Sequence, residues 1–135
     1  MSKGKGQETM SKVSVLVVED NLLVGAGLKE ILEKDGYAVT TAEDGKTAEA
    51  AMADGAFKVV ILDMMLPDGD GRELLKKWED RKGTMAVIII TAYGDVPTAV
   101  ECLKAGAYDF LTKPVQPPIV QKAVGNAVEH LSMKE

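Results

Sequence analysis

The sequence lacks the features that mark secreted and membrane proteins. Its 135 residues contain a single cysteine, Cys102, so an intramolecular disulfide is impossible and a reducing compartment is the simpler interpretation. The longest apolar runs have only about the length of a strand, so no membrane-spanning segment is expected. The polar N-terminal residues 1–11 are not followed by the apolar h-region of a signal peptide, so we expect a flexible tail. These features together predict a cytoplasmic protein.

Basic residues are fewer than acidic ones. The chain has 16 lysines and arginines against 21 aspartates and glutamates, which gives a net charge of −5. This balance argues against direct binding to nucleic acid or to an anionic membrane surface. The only histidine, His130, falls in the last helical pattern, where we expect a surface position rather than a catalytic role.

Apolar residues are abundant: they make up 46% of the chain, enough for one core in a domain spanning residues 12–135. Five short runs predict β-strands. The first, third and fourth are almost continuously apolar, which is typical of strands covered on both faces, whereas the second is more polar and suits an edge. The five runs are Val13–Val18, Ala38–Ala42, Val59–Leu62, Val87–Ile90 and Tyr108–Leu111.

Helical patterns separate these runs. Alternating strands and helices predict an open α/β sheet with right-handed crossovers, in which ligands bind beyond the carboxyl ends of the strands. The helices are expected around the stripe from Val24 to Leu32, over Lys46–Ala53, around Leu74 to Trp78, from Asp95 to Gly106, and from Pro117 onward, with Gly36 and Gly106 as stops.

Polar residues stand where several predicted strands end. Glu19 and Asp20 follow the first strand, Asp63 the third, Thr91 the fourth, and Lys113 lies just after the fifth. Clustered carboxylates repel one another strongly unless a divalent cation binds them, and Mg²⁺ prefers such oxygen ligands. A carboxylate nucleophile, a metal, a cation and a hydroxyl are the groups that phosphoryl transfer requires.

Each of these residues also has a simpler interpretation. An aspartate after a strand often caps a helix, and the segment Glu19-Asp20-Asn21 could merely cap the helix that begins near Leu22. A lysine before a proline is often a surface loop residue. The occurrence of all these residues at successive strand ends favours a shared site.

Four motifs closely resemble the receiver domains of two-component response regulators: VLVVEDN, ILDMMLPDGDG, IIITAYGD and GAYDFLTKP. The resemblance extends over residues 12–132. It implies a flavodoxin-like (βα)5 fold, with five parallel strands in the order 2-1-3-4-5 and helices on both faces. TAYGDVPTAV and GAYDFLTKP are most similar to the receivers of enhancer-binding regulators of nitrogen or dicarboxylate control, so the chain is either a stand-alone receiver or part of a longer regulator.

The resemblance also implies roles for the strand-end residues. Asp63 matches the phosphoacceptor, and Thr91 and Lys113 match the residues that bind the phosphoryl group, with a cis bond between Lys113 and Pro114. The implied ligands of Mg²⁺, which Mn²⁺ could replace, are the carboxylates of Glu19, Asp20 and Asp63 and the main-chain carbonyl of Met65.

The resemblance also implies regulatory roles, mostly for residues outside this set. Phe110 matches the switch aromatic, although a plain core role is an equal alternative. Met65 and Tyr93 are expected to flank the path of the attacking water and, because both lack a good general base, to slow dephosphorylation. An equal alternative is that both are surface residues without a kinetic effect. Leu22 and Leu23 lie off the main stripe of the first helix, where they either dock a kinase helix pair or are covered locally.

The resemblance implies a phosphorylation-activated switch that accepts a phosphoryl group from a sensor histidine kinase. Such a protein catalyses its own phosphotransfer and slow hydrolysis rather than acting as a conventional enzyme. Further partners are an output domain or downstream protein, and a second copy bound through the face between the fourth and fifth helices. One alternative is an interaction module that never takes phosphate. A haloacid-dehalogenase-like phosphatase is disfavoured, because Met65 stands where a second aspartate is expected.

One further motif, Asp68-Gly69-Asp70-Gly71, superficially suggests a calcium-binding loop. It lacks the acidic positions that should precede the glycine and the terminal glutamate. We therefore predict a turn that begins the third helix. Cys102 is expected to serve packing on the fourth helix.

Overall fold

The computed structural model describes residues 12–81, 83–92 and 95–133, so the expected tail at residues 1–11 lies outside the described residues. The described residues contain five strands of one parallel sheet: β1 (Ser14–Val18), β2 (Ala38–Ala42), β3 (Val59–Asp63), β4 (Ala86–Thr91) and β5 (Asp109–Thr112). Their order in the sheet is β2-β1-β3-β4-β5, as expected from the resemblance.

In the part of the chain that the structure describes, five α-helices connect or follow the strands and cover both faces of the sheet. They are α1 (Leu22–Lys34), α2 (Gly45–Asp54), α3 (Gly71–Lys77), α4 (Val96–Lys104) and α5 (Pro117–Met133). Within the described ranges, no helix is both long enough and apolar enough to cross a membrane.

Two apolar layers lie on opposite faces of the sheet, because successive side chains of a strand point to opposite sides. Leu16, Val60 and Ile89 face α2, α3 and α4, whereas Val17 and Ile61 face α1 and α5. The helices contribute their apolar stripes to these layers, including Ala48, Met52, Leu74, Leu75, Trp78 and Cys102 on one side and Leu28, Leu32, Val120, Val124 and Leu131 on the other. Every residue of β3 is buried, which explains its continuous apolar run.

Local sequence determines where the helices begin and end. The side chains of Asn21, Asp44 and Asp70 accept hydrogen bonds from main-chain N–H groups in the first turns of α1, α2 and α3. Gly36 and Gly106 follow α1 and α4 with φ angles of 97° and 116°, a region in which glycine has no steric penalty. The predicted stops at these two glycines are therefore confirmed.

Two features of the fold were not anticipated from the sequence. Met65–Leu66 and Gly69–Asp70 form a short antiparallel ladder between β3 and α3, and Glu79–Arg81 forms a 3-10 turn after α3. The ladder holds the predicted turn at residues 68–71 directly beside the end of β3. Trp78, expected within the third helix, is its C-terminal cap and is buried.

Candidate functional site

Three carboxylates meet at the carboxyl edge of the sheet. Glu19 and Asp20 follow β1, and Asp63 is the last residue of β3, which pairs directly with β1. One oxygen from each carboxylate lies within 4.8 Å of the other two. Glu19 and Asp63 are almost completely buried and Asp20 is exposed, so the cluster opens to solvent on the Asp20 side.

Lys113 provides a positive charge at this cluster. Its Nζ donates a hydrogen bond of 2.8 Å to Asp63 Oδ2 and lies 3.3 Å from Glu19 Oε1. The second contact is an ion pair without hydrogen-bond geometry, because Glu19 Oε1 has no hydrogen-bond partner. Burial disfavours the charge on Lys113, but its contacts with Asp63 and Glu19 outweigh that effect and raise its pKa. The predicted cis bond between Lys113 and Pro114 is confirmed.

The buried carboxyl group of Glu19 has a strongly raised pKa. Its pKa is raised from 4.5 to about 7, chiefly by burial and to a smaller degree by the neighbouring Asp63. The hydrogen bond from the Asn21 N–H and the charge of Lys113 act in the opposite direction. A cation at the cluster would favour the ionised form of this buried carboxylate.

The donor set fits a hard divalent cation. All three groups offer oxygen, and one buried oxygen, Oε1 of Glu19, lacks a hydrogen bond. Mg²⁺ characteristically combines one or two carboxylates with waters and phosphate oxygens, which matches a cluster that is open on one side. The same segment also supplies a helix cap, because Asn21 accepts hydrogen bonds from Leu23 and Val24. The capping interpretation is therefore correct for Asn21, while Glu19 and Asp20 belong to the cluster.

Thr91 is the last residue of β4, the strand that pairs with β3 on the side opposite β1. Its side chain is buried, and its hydroxyl donates to the main-chain oxygen of Ala92 at 2.9 Å and lies 3.5 Å from that of Asp95. The hydroxyl therefore contacts the loop between β4 and α4 rather than the carboxylates.

Comparison with known proteins identifies the same family as the sequence motifs at the strand ends. Residues 15–125 match the sequence profile described as "Response regulator receiver domain". The chain belongs to this family.

Two relatives and one solved structure illustrate the similarity. The transcriptional regulatory protein FixJ of Rhizobium meliloti is 36% identical over 126 residues, which are 93% of this chain and 62% of FixJ. The C4-dicarboxylate transport transcriptional regulatory protein DctD of Pseudomonas aeruginosa is 34% identical over 88% of this chain and 26% of DctD. A CheY-like receiver domain structure from Methanospirillum hungatei superimposes with a TM-score of 0.86 at 30% identity, over 93% of this chain and all of that one.

The receiver chain thus spans only part of the curated relatives that it matches, about three fifths of FixJ and a quarter of DctD. The similarity to DctD confirms the resemblance to receivers of dicarboxylate-type regulators.

The residues predicted to have regulatory roles in this receiver do not all lie beside the carboxylate cluster. Phe110 lies in the middle of β5, is half-buried and packs against the core layer formed with α2, α3 and α4. Met65 has a side chain that is 76% exposed, and its main-chain N–H donates to Asp63 Oδ1 at 3.1 Å. Tyr93 lies outside the described residues.

An apolar groove borders the receiver's carboxylate cluster. It has a volume of about 600 Å³ and lies between α1 and the segment after β5, with Leu23, Leu28, Ile31, Pro114 and Val115 among its lining residues. Lys113 also lines this groove, so the groove reaches the cluster. Leu22 and Leu23 are 69% and 85% exposed, so the alternative that they are covered locally is wrong.

Sequence reasoning missed a set of contacts made by the loop between β3 and α3. Asp68 accepts hydrogen bonds from the main chain of Gly45 and Lys46, and Arg72 contacts both Asp70 and Glu101. Glu101 lies 29 residues after Arg72, and no local pattern connects the two.

Proposed function

We propose that this receiver is a phosphorylation-activated switch in which Asp63 accepts a phosphoryl group from a sensor histidine kinase or a small acyl phosphate. The observation that carries the proposal is the carboxylate cluster of Glu19, Asp20 and Asp63 with the Lys113 ammonium 2.8 Å from Asp63. A protein with this role would work in the cytoplasm, where the ATP that charges the kinase is present.

In the proposed reaction, a carboxylate oxygen of Asp63 forms the new O–P bond while the bond from phosphorus to the donor breaks. With a phosphohistidine donor, the N–P bond breaks and the imidazole leaves with its electron pair. Lys113 offsets the charge on the transferred oxygens, and Thr91 donates to another of them after its hydroxyl turns from Ala92. Attack of water on the aspartyl phosphate later regenerates the Asp63 carboxylate and releases inorganic phosphate.

The metal of the proposed site is Mg²⁺, with Mn²⁺ as a substitute. Asp20, Asp63 and the main-chain carbonyl of Met65 would hold it directly, and Glu19 would act through water. When bound, such a cation would supply positive charge to offset that of the carboxylates and of the phosphoryl group. The fit rests on oxygen donors within 4.8 Å of one another and on the buried Oε1 of Glu19, which has no hydrogen bond.

The switch itself follows from the added charge. Phosphorylation brings about −1.5 to −2 charges and three acceptor oxygens next to Thr91. When Thr91 moves toward these oxygens, it leaves a space into which the ring of Phe110 can move. This movement of the ring changes the face formed by α4, β5 and α5. The half-buried position of Phe110 supports this role, since the ring is neither fully enclosed nor fully exposed.

We assign the apolar groove and the exposed Leu22 and Leu23 to kinase docking. The groove reaches Lys113, so a helix pair seated in it would hold a phosphohistidine near Asp63. Replacing Leu23 by Glu should slow transfer from the kinase and leave labelling by acetyl phosphate unchanged. Ile119→Glu, on an exposed side chain of α5, is the matched control. Equal loss with both donors would contradict docking.

The face between α4 and α5 is the proposed site of a second copy or of an output domain. Val96, Val100 and Leu103 form an exposed apolar stripe along α4, with spacings of four and three residues. Sedimentation of the phosphorylated protein should show dimers that Val100→Glu abolishes. A monomer in both samples would remove the homodimer from the proposal.

A titration tests the site as a whole and separates the switch from a pure interaction module. Mg²⁺ followed by beryllofluoride should shift the NMR amide resonances of Asp63, Thr91 and their neighbours in two successive steps. An Asp63→Asn variant should lose the beryllofluoride step. A wild-type protein that shows neither step would be an interaction module of the same fold.

A further inference from the structure

The loop between β3 and α3 is attached to two helices by aspartates two residues apart. Asp68 accepts hydrogen bonds from the N–H groups of Gly45 at 2.8 Å and Lys46 at 3.0 Å, at the start of α2. Asp70 caps α3 and accepts from the N–H of Arg72 at 2.8 Å. The Asp68-Gly69-Asp70-Gly71 motif therefore holds the segment that follows Asp63 in place.

Arg72 extends this attachment to α4. Its Nε and Nη2 donate to Asp70 Oδ2 at 3.1 and 2.7 Å, and its Nη1 donates to Glu101 Oε1 at 3.0 Å. The hydrogen bond and charge of Arg72 hold the pKa of Asp70 below its usual value, so this carboxylate stays ionised. Because the guanidinium is planar and rigid, it joins the cap of α3 to α4 as one unit.

A buried contact also joins α4 to the segment that follows Asp63. Cys102 Sγ of α4 lies 3.4 Å from Met64 Sδ, and both residues are buried. Met64 directly follows Asp63, and Cys102 directly follows Glu101. Two adjacent residues of α4 therefore contact the segment at 64–72, one in the core and one at the surface.

The segment between Asp63 and Arg72 has little room to adjust. A Cβ atom at Gly71 would lie 2.6 Å from the Asp63 main-chain oxygen, and the Gly71 N–H donates to Met64 O at 2.8 Å. A displacement of the main chain at Asp63 must therefore move the first turn of α3, which carries Arg72.

We propose that Arg72 is a positioning residue that transmits the phosphorylation state of Asp63 to α4 through Glu101, in addition to the route through Thr91 and Phe110. This inference rests on the proposed phosphorylation of Asp63. The side chains of Arg72 and Glu101 are 48% and 66% exposed. An exposed pair of this kind supports a coupling of up to about fivefold.

Hydrogen exchange of the α4 amides tests the proposal. Exchange is measured with Mg²⁺ alone and after acetyl phosphate, and the mass of the intact chain reports phosphorylation of each sample. The variants are Arg72→Gln, Glu101→Gln and the double variant. Lys77→Gln is the matched control, because Lys77 forms an exposed pair from the same helix to Glu49 of α2, at 3.1 Å.

We expect all proteins to take one phosphoryl group. The phosphorylation-dependent change in α4 exchange should shrink by up to about fivefold in each single variant and remain normal in Lys77→Gln. In the double variant this change should be as large as in the single variants, because the second substitution removes nothing more. A normal α4 response in Arg72→Gln, additive effects in the double variant, or an α4 that does not respond in the wild type would overturn the inference. A wild type that takes no phosphoryl group would instead refute the proposed function, and this inference with it.

Discussion

Lys113 Nζ lies 2.8 Å from Asp63 Oδ2, and the same nitrogen also pairs with Glu19 at 3.3 Å. One partly exposed ammonium thus offsets two nearly buried carboxylates. Its removal should leave them to repel each other in a poorly solvated site. A bound cation would reduce the repulsion between these carboxylates. The same charges therefore affect both the stability of the fold and the chemistry of the site.

The first prediction concerns this shared cation. Lys113→Gln should lower the free energy of unfolding by about 1–3 kcal/mol, because two buried carboxylates lose their charged partner. Mg²⁺ should stabilise the variant more than it stabilises the wild type. Urea unfolding with and without Mg²⁺ measures both effects. Lys29→Gln, which breaks an exposed pair with Glu33, should change stability by less than about 1 kcal/mol. Equal effects of the two substitutions would contradict the prediction.

The second prediction concerns pH. The pKa of Glu19 is raised from 4.5 to about 7, so between these values the folded protein binds this proton more tightly than the unfolded chain does. The contribution of Glu19 to stability is therefore present below pH 4.5 and is lost as the pH rises to about 7. In metal-free buffer, the stability of the wild type relative to Glu19→Gln should fall across this range. A constant difference would show that Glu19 titrates normally.

The third prediction concerns the close approach of Gly71 to Asp63. Gly71→Ala should cost about 1–3 kcal/mol, since its Cβ would meet the Asp63 main-chain oxygen at 2.6 Å. Gly125→Ala is the matched control in α5, where a Cβ meets nothing within 4 Å. That substitution should stabilise the protein by about 0.5–1 kcal/mol, because alanine favours a helix. Thermal unfolding of both variants measures these opposite signs, and a shared sign would refute the steric argument.

The fourth prediction concerns the lifetime of the aspartyl phosphate. Met65 follows Asp63 by two residues, and its exposed thioether offers no good hydrogen bond to an attacking water. Met65→Asn should shorten the lifetime, because an amide can orient that water. The measurement is the loss of the phosphoryl mass with time after the donor is removed. Met65→Leu is the control and should behave like the wild type; an unchanged lifetime in Met65→Asn would assign no kinetic role to this position.

Much of this fold could be predicted because its information is local. β-branched apolar runs identified the strands, and the parallel-sheet rule then placed Asp20 and Asp63 at one edge. The dual nature of the Glu19-Asp20-Asn21 segment was harder to predict, because capping and ligand binding favour the same residue types. Asn21 caps α1, whereas the buried Glu19 faces Lys113.

The long-range side-chain pairs could not be predicted from one sequence. Asp68 binds the start of α2, 22 and 23 residues away, and Arg72 reaches Glu101 across 29 residues. Such contacts depend on how two helices pack side by side, and no periodicity or spacing in the chain reports that geometry. The hydrogen bond from the Thr91 hydroxyl to Ala92 could not be predicted either, because it depends on the side-chain rotamer of Thr91.

Phosphoryl transfer to Asp63 is the claim on which the other proposals depend, and intact-mass analysis tests it most directly. The protein is incubated with acetyl phosphate in the presence of Mg²⁺ or of a chelator. We predict that the wild type gains one phosphoryl group with Mg²⁺, gains much less with the chelator, and that Asp63→Ala gains none. Labelling of Asp63→Ala at the wild-type level would contradict the account.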